Sequence, residues 1–235
     1  MDTSLQSARL DKARAALATV QTRVGTSRSV TGTECWETPV LPLAPALNEL
    51  LPTGLRRGQV VAVEGSTSLV LAMVAEASRE GSWAAMIGMP AVGVVAAARR
   101  GIELARLALI PHPGAQAPAV AGACIDGMDV VVFGPRLAMS DADRRRLVAR
   151  ARERGGVIIS AGPWAGAHVS LVVEGATWSG LGAGDGRLRA REITVAVSQR
   201  AGVSTRRVTL TLEADAMLRR ENQASVGQAS YEGAA

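Results

Sequence analysis

Residues 50–65, which read LLPTGLRRGQVVAVEG, decide the fold of this chain. A Pro-Thr-Gly turn ends a short segment with helical spacing over 44–51, and Gly58 opens an apolar run that closes at Gly65. An apolar run between glycines is typical of a strand covered on both faces, as strands of parallel sheets are. The stretch therefore predicts a short helix, a turn and then a central strand over 59–65.

Helices and strands alternate regularly after that strand. Ser140 and Asp143 form a capping-box pattern at the start of one helix, and Gly155 marks its end. Helices are predicted over 69–79, 92–100, 118–124 and 141–154, and strands over 83–88, 107–110, 129–133 and 157–160. This order predicts an α/β fold: a RecA-like doubly wound, mainly parallel sheet with right-handed crossovers.

The character of the sequence changes at both ends of this region. Antiparallel C-terminal strands, without helices between them, are predicted over 169–174, 188–198 and 207–213, with residues 180–186 as a mobile glycine-rich loop. Near the N-terminus, apolar residues repeat with helical spacing over 5–24. The predicted organisation is an N-terminal helical arm and linker (1–40), a core domain (41–213) and a flexible C-terminal tail (214–235).

The composition excludes several classes of protein. Hydrophobic residues make up 48% of the 235 residues and charged residues 20%, which indicates a globular chain with a buried core. Among the 26 lysine and arginine residues only Lys12 is a lysine, so a mechanism that needs a lysine in the core domain is excluded. The net charge of +5 favours weak attraction to nucleic acid or to acidic partners.

The cysteines and histidines bear on metal binding and on the cellular compartment. Cys35, Cys124, His112 and His168 do not occur at zinc-ligand spacing, so no metal site is expected. Two free thiols and an N-terminus without an apolar signal-like run predict a soluble cytoplasmic protein. Glycine and proline interrupt the uncharged stretches, so no membrane contact is expected.

The order of these segments resembles the RecA family. In that family a turn like residues 50–58 leads into a strand that ends in glycine, and the phosphate loop follows. Arg79-Glu80-Gly81 before a strand and the apolar strands at 128–133 and 157–160 continue the resemblance, which covers residues 43–213. It implies a RecA-like core domain.

The phosphate loop that this resemblance implies is degenerate. A G-x-x-x-x-G-K-[ST] loop wraps phosphates with backbone N–H groups, reaches them with lysine and binds magnesium through the hydroxyl. Counting from Gly65, the last three places of that motif hold Val70, Leu71 and Ala72, and the loop is short for the family. The polar residues that remain, Ser66, Thr67 and Ser68, are expected to cap the following helix.

The other catalytic positions of the family also lack suitable side chains. Asp129 stands at the start of a strand that should end in a magnesium-binding carboxylate. Met89-Pro90-Ala91 replace the acidic water-activating residue, and Ser160-Ala161-Gly162-Pro163 replace the phosphate-sensing glutamine. The sequence therefore predicts a pseudo-ATPase that is not an enzyme and has no catalytic residue, cofactor or metal.

A RecA-like domain with a helical arm, a degenerate nucleotide site and a basic tail is similar to the ImuA family, and within it to the actinobacterial ImuA-prime group of the mutasome. The resemblance implies an accessory role in DNA-damage-induced (SOS) mutagenic translesion synthesis. The implied partners are an ImuB-like inactive relative of the Y-family polymerases and, indirectly, an error-prone C-family polymerase. RecA and a second copy of the chain are further candidates, and recruitment to the nucleoid and replication sites is expected.

The terminal segments are the expected partner-binding regions. In RecA an N-terminal helix packs against the neighbouring subunit, so Leu10, Leu17 and Val24 of the helical stripe are expected to contact a partner. The C-terminal tail would fold on binding, with Arg219 and Arg220 as its charged contacts.

Two other functions remain open from the sequence. Mobile loops in this region of RecA-like proteins touch DNA, so weak DNA contact is expected at Arg187, Arg189, Arg191, Arg206 and Arg207. The arginine-rich helix over 141–154 fits a solvated outer face, or a surface for an acidic partner or phosphate. The wider resemblance also implies a SulA-like, damage-induced inhibitor of cell division.

Overall fold

A computed structural model describes residues 40–181, 186–200 and 205–213, which belong to the second of two units of the chain, Thr38–Ala235. The strands are β1 (Val40–Leu41), β2 (Leu55–Arg56), β3 (Val60–Glu64), β4 (Ala84–Ile87), β5 (Leu107–Ile110), β6 (Val130–Phe133), β7 (Val157–Ser160), β8 (Val169–Leu181), β9 (Gly186–Gln199) and β10 (Arg206–Glu213). The helices are α1 (Thr67–Arg79), α2 (Val94–Arg99), α3 (Ala117–Gly127) and α4 (Asp141–Arg154).

Eight strands form one sheet in the order β10-β9-β8-β3-β7-β6-β4-β5. The six strands from β8 to β5 in that order run parallel to one another, whereas β9 and β10 continue the sheet in antiparallel pairing. Strands β1 and β2 form a separate antiparallel pair. The predicted α/β class, with a mainly parallel sheet and antiparallel C-terminal strands, is confirmed, and the architecture is consistent with a RecA-like fold.

The central strand β3 is buried on both faces, as its unbroken apolar run predicts. Val61 and Val63 pack on one face with residues of α1 and α2, while Val60 and Ala62 pack on the other with residues of α3 and α4. Successive side chains of a strand point to opposite faces, so a strand between two helical layers needs apolar residues at every position. The sheet is therefore doubly wound.

Two of the predicted helix caps are present. The Ser66 side chain accepts a hydrogen bond from the Leu69 N–H (3.2 Å) at the start of α1. At α4 the reciprocal hydrogen bonds of a capping box join Ser140 and Asp143, and Gly155 ends the helix in the left-handed region at φ 66°. Such caps satisfy N–H and C=O groups that have no partner within the helix.

Several predicted boundaries change. The segment 44–51 contains only a 3₁₀ turn at Pro45–Leu47, because the prolines at 45 and 52 leave too short a length for a stable helix. Strands β8 and β9 extend into the predicted loop 180–186, since Leu181 pairs with Gly186. The predicted helix 5–24 and tail 214–235 lie outside the described residues. None of the described helices is long and apolar enough to cross a membrane.

Candidate functional site

A cleft of about 510 Å³ lies at the carboxyl edge of the parallel strands. The segments that follow three neighbouring strands line it: residues 88–92 after β4, 111–114 after β5 and 135–138 after β6, together with Thr67 of α1. The chain leaves β4 toward the α2 face, but leaves β5 and β6 toward the opposite face. Ligands of open α/β sheets bind at such switch points, where the connections that follow neighbouring strands run to opposite faces of the sheet.

The lining of this cleft is mainly apolar. It consists largely of methionine, proline, alanine, valine and leucine side chains, to which Thr67, His112 and Arg136 add the polar groups. No carboxylate and no lysine is among the lining residues of the described chain. A surface of this kind suits an apolar or peptide-like ligand better than a magnesium-bound triphosphate.

Main-chain contacts fix the shape of the cleft. The Gly134 N–H donates to the Ile87 carbonyl, and the Gly88 N–H donates to the Ile110 carbonyl, each at 2.8 Å. Gly134 has no room for a side chain, because a Cβ atom there would lie 2.0 Å from the Gly88 oxygen. The loops after β4, β5 and β6 therefore leave the sheet at a fixed spacing.

The connection that corresponds to a phosphate loop is short. Only Gly65 and Ser66 lie between β3 and α1, and the Ser66 hydroxyl caps the helix. Leu71, which occupies the expected lysine position, is 4% exposed and packs in the core between α1 and the sheet. Val70, at the second glycine position of the motif, is buried with it. These positions contribute to the core, and their side chains are not available to a ligand.

Asp129 lies at the amino edge of the sheet, opposite the cleft. Its carboxylate accepts a hydrogen bond from the Trp83 N–H (3.1 Å) and pairs with Arg57 (2.9 Å). Arg57 also donates to the Gly155 carbonyl (2.9 Å). The Asp129 carboxylate therefore links the residue before β4 and the turn after β2 to the start of β6. This position at the start of β6 is the one that the sequence predicts.

The arginines of α4 have several different partners. Arg150 and Arg154 both bond Asp126 at the end of α3, with Nε distances of 2.7 and 3.1 Å to the same oxygen. The hydrogen bond from Arg150, with the charges of both arginines, holds the pKa of Asp126 below its ordinary value. Arg144 stacks over Trp164, which in turn stacks on Phe133. Part of the predicted solvated face is therefore tied to α3 and to the core.

The predicted DNA contacts fall into two groups. Arg206 donates to the Leu50 carbonyl (2.9 Å) and Arg207 pairs with Glu174 (2.7 Å), which holds the pKa of Glu174 below its ordinary value. Both arginines thus have intramolecular partners. Arg189 is exposed, whereas the Arg191 guanidinium donates to the Ser66 hydroxyl (3.4 Å) and lies 5.5 Å from the ring centroid of Trp178. The side chain of Arg187 and the partner-binding residues Leu10, Leu17, Val24, Arg219 and Arg220 lie outside the described part of the chain.

The sequence did not reveal two features of these surfaces. Trp178 is 47% exposed and stands opposite Arg191 in the β8–β9 pair, an aromatic group beside the predicted DNA-contact arginines. Trp178 lies between the predicted strand 169–174 and the predicted loop 180–186, and the pattern Gly-Ala-Thr-Trp at 175–178 gave no strand signal for it. No sequence motif marks the cleft either, because its lining comes mainly from three segments that are far apart in the chain. Among the described residues, no group of three or more histidines, cysteines, aspartates and glutamates could hold a metal ion.

Comparison with known proteins places the central part of the chain in a family. It is 41% identical over 122 residues to Rv3395c, an uncharacterized protein of Mycobacterium tuberculosis. That match covers 51% of this chain and 60% of Rv3395c, so the chain spans less than two thirds of this relative's length. The sequence model of the MT3502 N-terminal domain matches residues 49–166, half of the chain, which run from the turn before β2 to the segment after β7. The chain therefore belongs to the MT3502 N-terminal domain family.

Proposed function

We propose that the chain is a non-catalytic accessory protein of damage-induced mutagenic translesion DNA synthesis. It acts as a scaffold through protein–protein contacts with an ImuB-like inactive relative of the Y-family polymerases, and through it with an error-prone C-family polymerase. It works in the cytoplasm and is recruited to replication sites. The resemblance to the ImuA family in the order and degeneracy of the motifs suggests this role.

One structural observation carries the non-catalytic part of the proposal. The carboxyl edge of the sheet, where a RecA-like ATPase holds its nucleotide, carries an apolar cleft lined by neither lysine nor carboxylate within the described chain. Phosphoryl transfer needs a cation at the phosphates and a carboxylate that organises magnesium. Leu71, at the lysine position, is buried in the core and cannot supply that cation. A RecA-like body of this kind is suited to binding without catalysis.

Co-purification with the ImuB-like protein tests the scaffold role. We expect the full chain to retain the partner, and a chain that stops at Glu213 or carries Leu17→Asp to lose it, because each change removes one predicted contact region. Thr19→Asp is the matched control for the arm, since it places the same charge on the opposite side of the predicted helix. Thermal unfolding confirms that each variant retains its folded core. If the full chain does not bind the partner, the proposal is wrong.

DNA binding is a second candidate function, supported by the exposed Trp178 beside Arg189 and Arg191. Residues two apart on a strand share a face, and residues paired directly across strands do too, so these three side chains line one face of the β8–β9 pair. An aromatic ring next to arginines is the usual platform for single-stranded DNA, where the base stacks and the guanidinium groups contact phosphate. This surface requires no nucleotide hydrolysis.

The matched test compares Trp178→Ala with Trp83→Ala, because Trp83 is 40% exposed and lies at the other edge of the sheet. If the β8–β9 face binds DNA, Trp178→Ala weakens the binding of a fluorescent single-stranded oligonucleotide about tenfold, the expected loss of one stacked base. Fluorescence anisotropy measures the affinity. Equal affinities of the two variants would exclude this face as a DNA-binding site.

A further inference from the structure

A second pocket, of about 480 Å³, lies at the amino edge of the sheet, opposite the apolar cleft. The turn after β2, the start of β3, helix α4, and the facing ends of β8 and β9 form it. Its polar side chains include Arg56, Arg57, Gln59, Arg152, His168 and Gln199. No carboxylate lines it among the described residues, and of its arginines Arg57 alone is paired there with an anion, Asp129, which lies outside the lining.

The hydrogen bonds of His168 are incompatible with one another. The Val60 N–H donates to the Nδ1 atom of His168 (3.0 Å), and the Arg152 guanidinium lies 3.1 Å from the Nε2 atom. Both neighbours can only donate, yet a neutral imidazole has one accepting nitrogen and a protonated one has none. In every protonation state of the ring, at least one of these contacts therefore joins two donors.

The main-chain N–H of Val60 is fixed in the sheet, so the Nδ1 atom is the acceptor and the Nε2 atom carries the proton. The Nε2–H and the Arg152 guanidinium then face each other with no acceptor between them. An anion that accepts from both groups would relieve this contact. Burial and the charges of Arg152 and Arg200 hold the pKa of His168 below its ordinary value, and the two positive charges also attract a negative ligand.

Two further donors of the pocket have no acceptor among the described residues. Gln59 is only 8% exposed, and its Oε1 accepts a hydrogen bond from the Arg56 main-chain N–H (3.0 Å), which leaves the amide NH₂ group unpaired. The Arg56 guanidinium has no hydrogen-bond partner there either. Arg57, by contrast, is held by Asp129 and the Gly155 carbonyl. The Gln59 amide and the Arg56 guanidinium are therefore open to a ligand that enters the pocket.

We propose that this amino-edge pocket binds a phosphate group through Arg152, the Nε2–H of His168, the Gln59 amide and Arg56. A phosphate offers several acceptor oxygens in different directions, which suits donors that come from three separate elements. The group could belong to free inorganic phosphate or to a DNA backbone, and the chemistry of the site is the same for both. This inference is independent of the proposed scaffold function and of the apolar cleft.

The first part of the test uses inorganic phosphate and the ¹⁵N resonances of the His168 ring, at constant ionic strength maintained with chloride. We expect phosphate to move the Nε2 resonance saturably, and Arg152→Gln to weaken that binding about tenfold, since one charge-assisted contact is lost. Glutamine keeps the Cβ and Cγ atoms of Arg152, which lie close to Gly58. Arg56→Gln is a second variant with the same expected direction.

Arg145→Gln is the matched control, because Arg145 lies exposed on the same helix and outside the pocket. It removes the same charge and should leave phosphate affinity unchanged. If phosphate does not move the His168 resonance, or if Arg145→Gln weakens binding as much as Arg152→Gln, the proposal is wrong. The first result would mean that phosphate does not bind in the pocket, and the second that it is attracted only by the general charge of the surface.

The second part of the test identifies the source of the phosphate. A fluorescent single-stranded oligonucleotide is titrated with the wild-type chain, Arg152→Gln and Arg145→Gln. If the pocket holds a DNA phosphate, Arg152→Gln alone weakens oligonucleotide binding about tenfold and inorganic phosphate competes with the oligonucleotide. If oligonucleotide binding is the same for all three proteins while phosphate binding differs, the site takes free phosphate.

Discussion

Placing a lysine at position 71 is expected to destabilise the domain by about 4 to 5 kcal/mol instead of restoring a nucleotide site. Leu71 is 4% exposed and packs among apolar residues of α1 and the sheet. A lysine buried there must be neutral at pH 7, and removing its proton from an unfolded-state pKa of about 10.4 accounts for this cost. The loss is comparable to the whole stability of many domains, so part of the protein is expected to unfold.

Urea denaturation of Leu71→Lys and Leu71→Met measures this effect. Methionine is unbranched and apolar, so it separates the cost of a changed side-chain shape from the cost of the charge. The pKa of the lysine is lower in the folded state, so the unfolded state binds more protons and the penalty decreases as the pH rises toward about 10.4. A Leu71→Lys protein that is as stable as the wild type and binds ATP would contradict the non-catalytic proposal.

The second large effect is expected at Gly134. Alanine there would place its Cβ atom 2.0 Å from the oxygen and 2.6 Å from the carbonyl carbon of Gly88. Both obstructing atoms belong to the main chain, so no side chain can rotate away, and the carboxyl ends of β4 and β6 must separate. We expect Gly134→Ala to lower the free energy of unfolding by about 3 kcal/mol or more.

Gly127→Ala is the control for this substitution. Gly127 ends α3 and has no heavy atom within 4 Å of its Cβ position, so alanine should be neutral or slightly stabilising. Urea denaturation of both variants gives the comparison. If the two alanine variants prove equally stable, the close approach of β4 and β6 is not a constraint on the cleft.

The sequence predicts the parts of the fold that depend on neighbouring residues. The limits of β5, β7 and α4 are as predicted, because apolar runs, the Ser140 cap and Gly155 act within a few residues of one another. The prediction of a short helix over 44–51 was wrong, although Leu47, Leu50 and Leu51 are buried as helical spacing suggests. The leucines are buried by tertiary packing, and apolar spacing cannot distinguish that packing from a helix.

The candidate sites depend on residues that lie far apart in the chain. His168 meets Val60 across 108 positions, and Arg206 reaches the Leu50 carbonyl across 156 positions. No local spacing predicts such pairs, because they follow from the strand order of the sheet. The sequence therefore indicates which phosphate-binding groups are missing at the carboxyl edge, but it does not reveal the donors gathered at the amino edge.

The strand order also determines which strands another polypeptide could extend. In the eight-stranded sheet, β5 and β10 are the two outer strands, so within the described chain they expose main-chain hydrogen-bonding groups. β5 is a short strand of four residues and is followed directly by Pro111, whereas β10 begins with two arginines. Short length, proline and charge at an outer strand all oppose edge-to-edge aggregation. A sheet rich in valine and isoleucine is thus protected against forming fibrils.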